Sequence, residues 1–270
     1  MNALAASNFV ARHAAGLNQA ALARPSFVRI HALEAWYEFL RVLRTPAFVI
    51  PTLTFPLVFY VMFALVLPGQ WGAYQKTTYL FATYAAFGVI GPALFGFGVG
   101  LAMERQQGWL DLKRVSPMPT GAYFFAKIMM SLAFAFAVVV LLSIAAIGFG
   151  EVRLSVGTWV TLVGALLLGT LPFCAFGLWI GTLVKGQAAV AVVNLVYLPM
   201  ALLSGLWIPL FAFPAILQKT AVLWPAWHLG QMALGIVGQV PDVRYGLHAG
   251  ALLAMTTLFL SLAAMRLRAE

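Results

Sequence analysis

Charge is what this sequence lacks most. Of its 270 residues, 9% are Asp, Glu, Lys or Arg and 63% are hydrophobic, with a mean hydropathy of +0.95. Soluble domains carry about 25% charged residues, so a soluble fold of this length would lack polar surface to cover itself. The composition is that of a membrane protein. Cysteine is nearly missing too. Cys174 stands alone, which excludes an intrachain disulfide, and its apolar surroundings make it a small buried hydrophobe. There is no G-x-x-x-x-G-K-[ST], so the chain does not bind ATP through a P-loop, and H-E-x-x-H, C-x-x-C and G-x-S-x-G are also absent. The run GFGVG (Gly96, Gly98, Gly100) lies inside an apolar segment with no strand before it, which argues against a dinucleotide loop. Gly96 and Gly100, like Gly177 and Gly181, are four apart, a spacing that lets membrane helices approach closely.

Ionisable groups are also missing from the span interiors. A central Asp, Lys or Arg costs about 2.5–3.5 kcal/mol on insertion, and ion-coupled pumps carry that cost for a relay. Here Glu104 and Lys127 fall at helix ends, with Lys127 placed to snorkel to the head groups. His248, near the outer end of the last span, reads as an interfacial histidine before it reads as a relay member. No Ser–His or paired-carboxylate set converges by spacing, which disfavours an intramembrane hydrolase.

What is present is a series of long uncharged runs. A spanning helix needs about 20 mostly apolar residues, and six spans are expected, near 47–68, 78–103, 123–149, 157–182, 187–210 and 246–266. The segment 211–240, which contains TAVLWPAWHLGQMALGIVGQV, is interrupted by Pro225, Gln231 and glycines. A re-entrant or interfacial pair of short helices on the external side fits it better than a span, although a span stays open. Trp224 and Trp227 suit a membrane–water boundary. Six spans place Arg12, Arg24, Arg29, Arg41, Arg44, Arg105, Lys113, Arg114, Lys127, Lys185, Arg266 and Arg268 on the side of the termini, and Lys76, Arg153, Lys219 and Arg244 opposite. The positive-inside rule then puts both termini in the cytoplasm. Residues 1–25, Ala-rich and without acid, read as a cytoplasmic tail in preference to a transit peptide. The net charge of +9 points to anionic lipid and not to nucleic acid.

Two cytoplasmic features stand out. Residues 26–45 predict an amphipathic interfacial helix, with Phe27, Ile30, Leu33, Trp36, Tyr37, Leu40 and Leu43 on one stripe. Glu38 and Arg41 lie mostly off it; Ser26 caps the start and Pro46 stops the helix. The loop 104–122 concentrates Glu104, Arg105, Asp111, Lys113 and Arg114, then closes on Pro117 and Pro119, which forbid helix continuation. Trp109, Leu110 and Leu112 give it an apolar edge. It reads as a rigid knob, able to transmit displacement where a flexible linker would absorb it.

The order E-R-x-x-G-x-L-x-x-x-R-x-S-P, given by Glu104, Arg105, Gly108, Leu110, Arg114, Ser116 and Pro117, resembles the loop of the ABC-2 type permeases, six-span subunits of ATP-binding-cassette exporters. LLSGLWIPLFAFPAIL, Leu202 to Leu217, resembles the end of that family's fifth span. The segment around Trp224–His228 is similar to its re-entrant external helices, with Trp224–Pro225 where Asn-Pro is common. The resemblance implies an all-α transmembrane domain over 46–268. It implies pairing with a second permease subunit, the same or a homologue, and docking of two P-loop ATPase subunits that bind ATP and Mg, with no cofactor on this chain. The contact surfaces would be the interfacial helix, with Trp36, Tyr37, Glu38 and Arg41, and the loop, including Trp109. The path would lie at the dimer axis, along the second and fifth spans. Asn194, Tyr197 and Ser204 either face that path or bond to neighbouring helices, and Leu206 and Trp207 match an apolar gate or face lipid. A bacterial inner-membrane exporter subunit is the function expected, with a secondary transporter or channel independent of an ATPase as the alternative.

Overall fold

In lipid a backbone amide must find its hydrogen bond within the protein, and in these apolar runs it finds it within its own helix. The computed structural model describes residues 26–67, 74–115 and 118–268, apart from the side chains at 111, 113, 114 and 120; the expected tail 1–25 lies outside the described residues. Helix α1 (Phe27–Leu43) starts where Ser26 Oγ accepts from Arg29 N–H, and it ends before Pro46, which is the first residue of α2 (Pro46–Val66). There follow α3 (Lys76–Gln106), α4 (Trp109–Val115), α5 (Thr120–Gly148), α6 (Val156–Leu183), α7 (Ala188–Leu203), α8 (Ala215–Thr220), α9 (Pro225–Ile236) and α10 (Tyr245–Arg268).

Among the described residues five helices, α2, α3, α5, α6 and α10, are long and apolar enough to cross a membrane. The fifth expected span, 187–210, is shorter than its hydrophobicity suggests. Helix α7 has 16 residues, about 24 Å against a hydrocarbon thickness of about 30 Å. Its stop is local: Gly205 takes φ +77°, its N–H bonds Leu202 O, and Leu206 N–H bonds Ala201 O. That left-handed cap satisfies the last carbonyls and turns the chain. The segment 211–240 is broken into two 3-10 turns, the six-residue α8 and the twelve-residue α9.

Helix α3 is the hub. It packs against α2, α5, α6 and α9, while α2 and α10 keep most of their apolar surface uncovered. Pro92 removes one donor from α3, and the next turn, Leu94–Val99, is π-helical. Small residues bring this turn against α6, through Gly98, Gly177 and Gly181 and not through Gly96 or Gly100. Gly98 meets α6: a Cβ there would lie 3.2 Å from Gly177 O, and one on Gly181 2.8 Å from Gly98 O. Gly96 and Gly100 instead face α5, at Met130 and Lys127.

Helix α1 lies along α5 with its amphipathicity reversed relative to a soluble helix. Trp36, Tyr37, Phe27, Leu33 and Leu43 are exposed, and Glu38 is buried. That orientation suits a helix whose outer surroundings are lipid.

Candidate functional site

Three helix faces converge at one end of the molecule. Glu38 and Arg41 are one turn apart on α1, Glu104 is in the last turn of α3, and Tyr123 and Lys127 are one turn apart on α5. Together they form an alternating square. Lys127 Nζ lies 2.7 Å from Glu38 Oε1 and 2.8 Å from Glu104 Oε1; Arg41 Nη2 lies 2.7 Å from the first and 2.5 Å from the second. Tyr123 donates its hydroxyl to Glu104 Oε2 at 2.7 Å. Two acids and two bases make the square neutral, which offsets much of the cost of taking four charges out of water. Burial alone would lower the proton affinity of Arg41, but Glu104 and Glu38 outweigh it and raise it, so the guanidinium stays charged. Lys127 is 1% exposed; it does not snorkel to the head groups as expected, because two carboxylates hold its ammonium inside. Room for it comes from Gly100, where a Cβ would stand 3.0 Å from Nζ.

The square ties the base of the knob to α1 and α5, and two further bonds tie it to α6 and to the turn between α6 and α7. Arg105 donates to Gly181 O at 2.9 Å, and Gly186 N–H donates to Ala102 O at 3.0 Å. Gly108 then turns the chain at φ +74°, a conformation that favours glycine, and α4 begins. Trp109, Leu112 and Val115, spaced at three residues, form an exposed apolar edge on α4, whereas Leu110 packs against the core. The expected contact residues thus separate. Trp109 is on the free edge, Glu104 and Arg105 are fastened inside, and Leu110 is a packing residue. The side chain of Arg114, and Ser116 and Pro117 entirely, lie outside the described residues. Trp36 and Tyr37 are exposed on the far face of α1, while Glu38 and Arg41 point into the square. The expected edge of Trp109, Leu110 and Leu112 is thus corrected: Leu110 turns to the core and Val115 takes its place, as helical spacing from Trp109 and Leu112 marks.

Beside the square a groove of about 670 Å³ runs between α2, α3 and α7. Arg41, Glu104 and Gln107 line one end, and Gly88, Pro56 and Leu198 the other. Of the five expected path residues, Asn194 and Tyr197 line it. Asn194 Nδ2 donates to Val190 O, and Tyr197 donates its hydroxyl to Phe87 O while its ring stacks on Phe87 at 4.9 Å. Trp207 stands beyond the groove, stacked on Phe59 at 5.2 Å and edge-on to Phe87 at 5.4 Å, with its carbonyl accepting from Tyr84. Leu206 is buried against Gly230, and Ser204 is buried with its Oγ unbonded. Among the described residues no group of three or more His, Cys, Asp or Glu is arranged to hold a metal ion.

Comparison with known proteins agrees with this architecture. The family model described as "ABC-2 type transporter" matches residues 33–237, from α1 to the end of α9. The chain is 31% identical over 207 residues to the Bacillus subtilis (strain 168) protein named "Putative transport permease YvfS", covering 74% of this chain and 82% of that protein. The square, the knob and the groove fall entirely inside the matched region. The chain belongs to the ABC-2 type transporter family.

Proposed function

We propose that this chain is the permease subunit of an ATP-driven exporter of the bacterial inner membrane, with α4 as the element through which separate ATPase subunits move it. The observation that carries this reading is the fastening of the knob. Its base is held by the buried square and by the Arg105 and Gly186 bonds, while its apolar edge, Trp109, Leu112 and Val115, is left open. An edge that engages a partner while its base is locked to α1, α5 and α6 converts partner motion into helix motion. The reading assigns two P-loop ATPases to the cytoplasmic face, holding ATP and Mg, and a second permease subunit to the groove side.

Under the same reading the membrane is crossed six times, with α7 as the fifth crossing, 211–240 as an external re-entrant segment, and both termini in the cytoplasm. The groove is this subunit's half of the translocation path, with Asn194 and Tyr197 on its wall and the Phe59–Trp207–Phe87 stack closing its outer end. Its long apolar wall with polar groups at one end suits a drug-like amphiphile or lipid, with a glycan as the third class of cargo.

Co-expression with a candidate P-loop ATPase from the same genome, followed by purification through a tag on this chain, tests the proposal. The ATPase is expected to co-purify with the native chain and to be lost with Leu112→Glu. Retention by that variant, or transport by the purified chain without any ATPase, would contradict it.

A further inference from the structure

The opposite end of the molecule holds a second buried polar contact. His228, in the first turn of α9, and His248, in the first turn of α10, meet Nδ1 to Nδ1 at 3.0 Å. Both residues are buried, and the Trp227 indole lies 4.9 Å from one ring and 5.1 Å from the other. His228 Nε2 sits 3.0 Å from Val222 O.

These contacts fix the protons. A carbonyl only accepts, so His228 Nε2 carries hydrogen and, in the neutral ring, Nδ1 is the acceptor. His248 Nδ1 must therefore donate to it. One added proton is tolerated, because a singly charged pair still has one donor and one acceptor between the rings. A second turns both Nδ1 atoms into N–H donors facing each other across a hydrogen-bond distance, and the contact becomes repulsive. The ionisable side chains on the elements packed against α9 are Lys76, Tyr79, Tyr84, Glu104 and Arg105 on α3, Tyr245, Arg266 and Arg268 on α10, and Cys174 on α6; Asp242 and Arg244 precede α10 and Lys219 precedes the Val222 turn. Among the described residues no carboxylate, Asp242 included, pairs with either ring, so no bonded counter-charge offsets a doubly charged pair.

We propose that His228 and His248 form an acid-sensitive latch that fastens α9 to α10 at neutral pH and releases it when both rings are charged. The inference draws on the proposed function only for the side on which acid acts, the cell exterior. Release would loosen the segment that leads from the Trp207 stack to the last helix.

Hydrogen exchange of the full chain in lipid nanodiscs tests this, at about pH 7.5 and about pH 5, on either side of the ordinary histidine value, after correction for intrinsic exchange. Amides of 225–248 are expected to exchange about tenfold faster in acid, the effect of a one-unit difference in proton affinity, while α3 and α6 stay protected. His248→Asn supplies a donor that does not titrate in place of Nδ1–H, and should keep 225–248 protected at both values. Equal acid loosening in that variant, or none in the native chain, overturns the latch. A second readout is independent of the variant's folding: the fluorescence of Trp227, taken as native minus Trp227→Phe, should fall as the neighbouring rings charge. An unchanged signal would also overturn the proposal. Neither readout involves an ATPase, so failure here leaves the coupling role of α4 untouched, and failure of coupling leaves the latch untouched.

Discussion

Lys127 shows what a single residue contributes. Its ammonium joins two carboxylates on two different helices, and removing it leaves Glu38 and Glu104 sharing Arg41. Breaking a buried pair in this way costs about 3–5 kcal/mol. Lys127→Met should therefore lower the unfolding temperature sharply in detergent micelles, and adding Glu104→Gln should restore part of the loss, the signature of direct coupling. If the double variant is as unstable as the sum of the singles, the square is not a unit. Gly100 gives a smaller test of the same site: Gly100→Ala pushes a methyl to 3.0 Å from Lys127 Nζ and should cost about 1–3 kcal/mol. Gly246→Ala, which meets nothing within 4 Å, should stay within about 0.5 kcal/mol of the native chain.

At the scale of the element, α4 separates two roles that its sequence runs together. Leu112→Glu adds a charge to an exposed edge and should leave the unfolding temperature unchanged while abolishing ATPase capture. Leu110→Glu places one against the core, where an unpaired charge is costly, and should lower stability. The same fall in stability from both would mean the knob is packed on both faces. Helix α9 adds a pH dependence. Burial lowers the proton affinity of His228 below its ordinary value of 6.5, partly opposed by the Val222 carbonyl, so the unfolded chain binds more protons in acid. That contribution to stability is whole above pH 6.5 and is lost as pH falls through the lower folded value. Thermal unfolding of His228→Gln, compared with the native chain across that range, should lack this slope.

At the scale of the whole molecule, the helical architecture and the bounds of the N-terminal helix were legible because they depend on local composition and period. Runs such as 123–149 and 157–182 nearly coincide with α5 and α6. The departures have nonlocal or geometric causes. The 187–210 run is uncharged throughout and mostly apolar, but Gly205 stops its helix through one backbone angle that hydropathy does not register. The square was invisible because its four charges are brought together only by three-helix packing; read singly, Glu104 and Lys127 are ordinary helix-end charges. The one local hint was sign, with Glu38 buried opposite a stripe of exposed aromatics on α1. The His228–His248 contact likewise joins two histidines twenty residues apart across a broken segment, with no motif to announce it.

The account as a whole stands on the side of the membrane at which the knob lies. Cys174 is the chain's single cysteine and is buried, so Leu112→Cys introduces one reactive thiol at an exposed position. Labelling with a membrane-impermeant maleimide should modify it in inside-out vesicles and spare it in right-side-out vesicles. Modification from the outside alone would place α4 beyond the reach of any cytoplasmic ATPase and contradict the account.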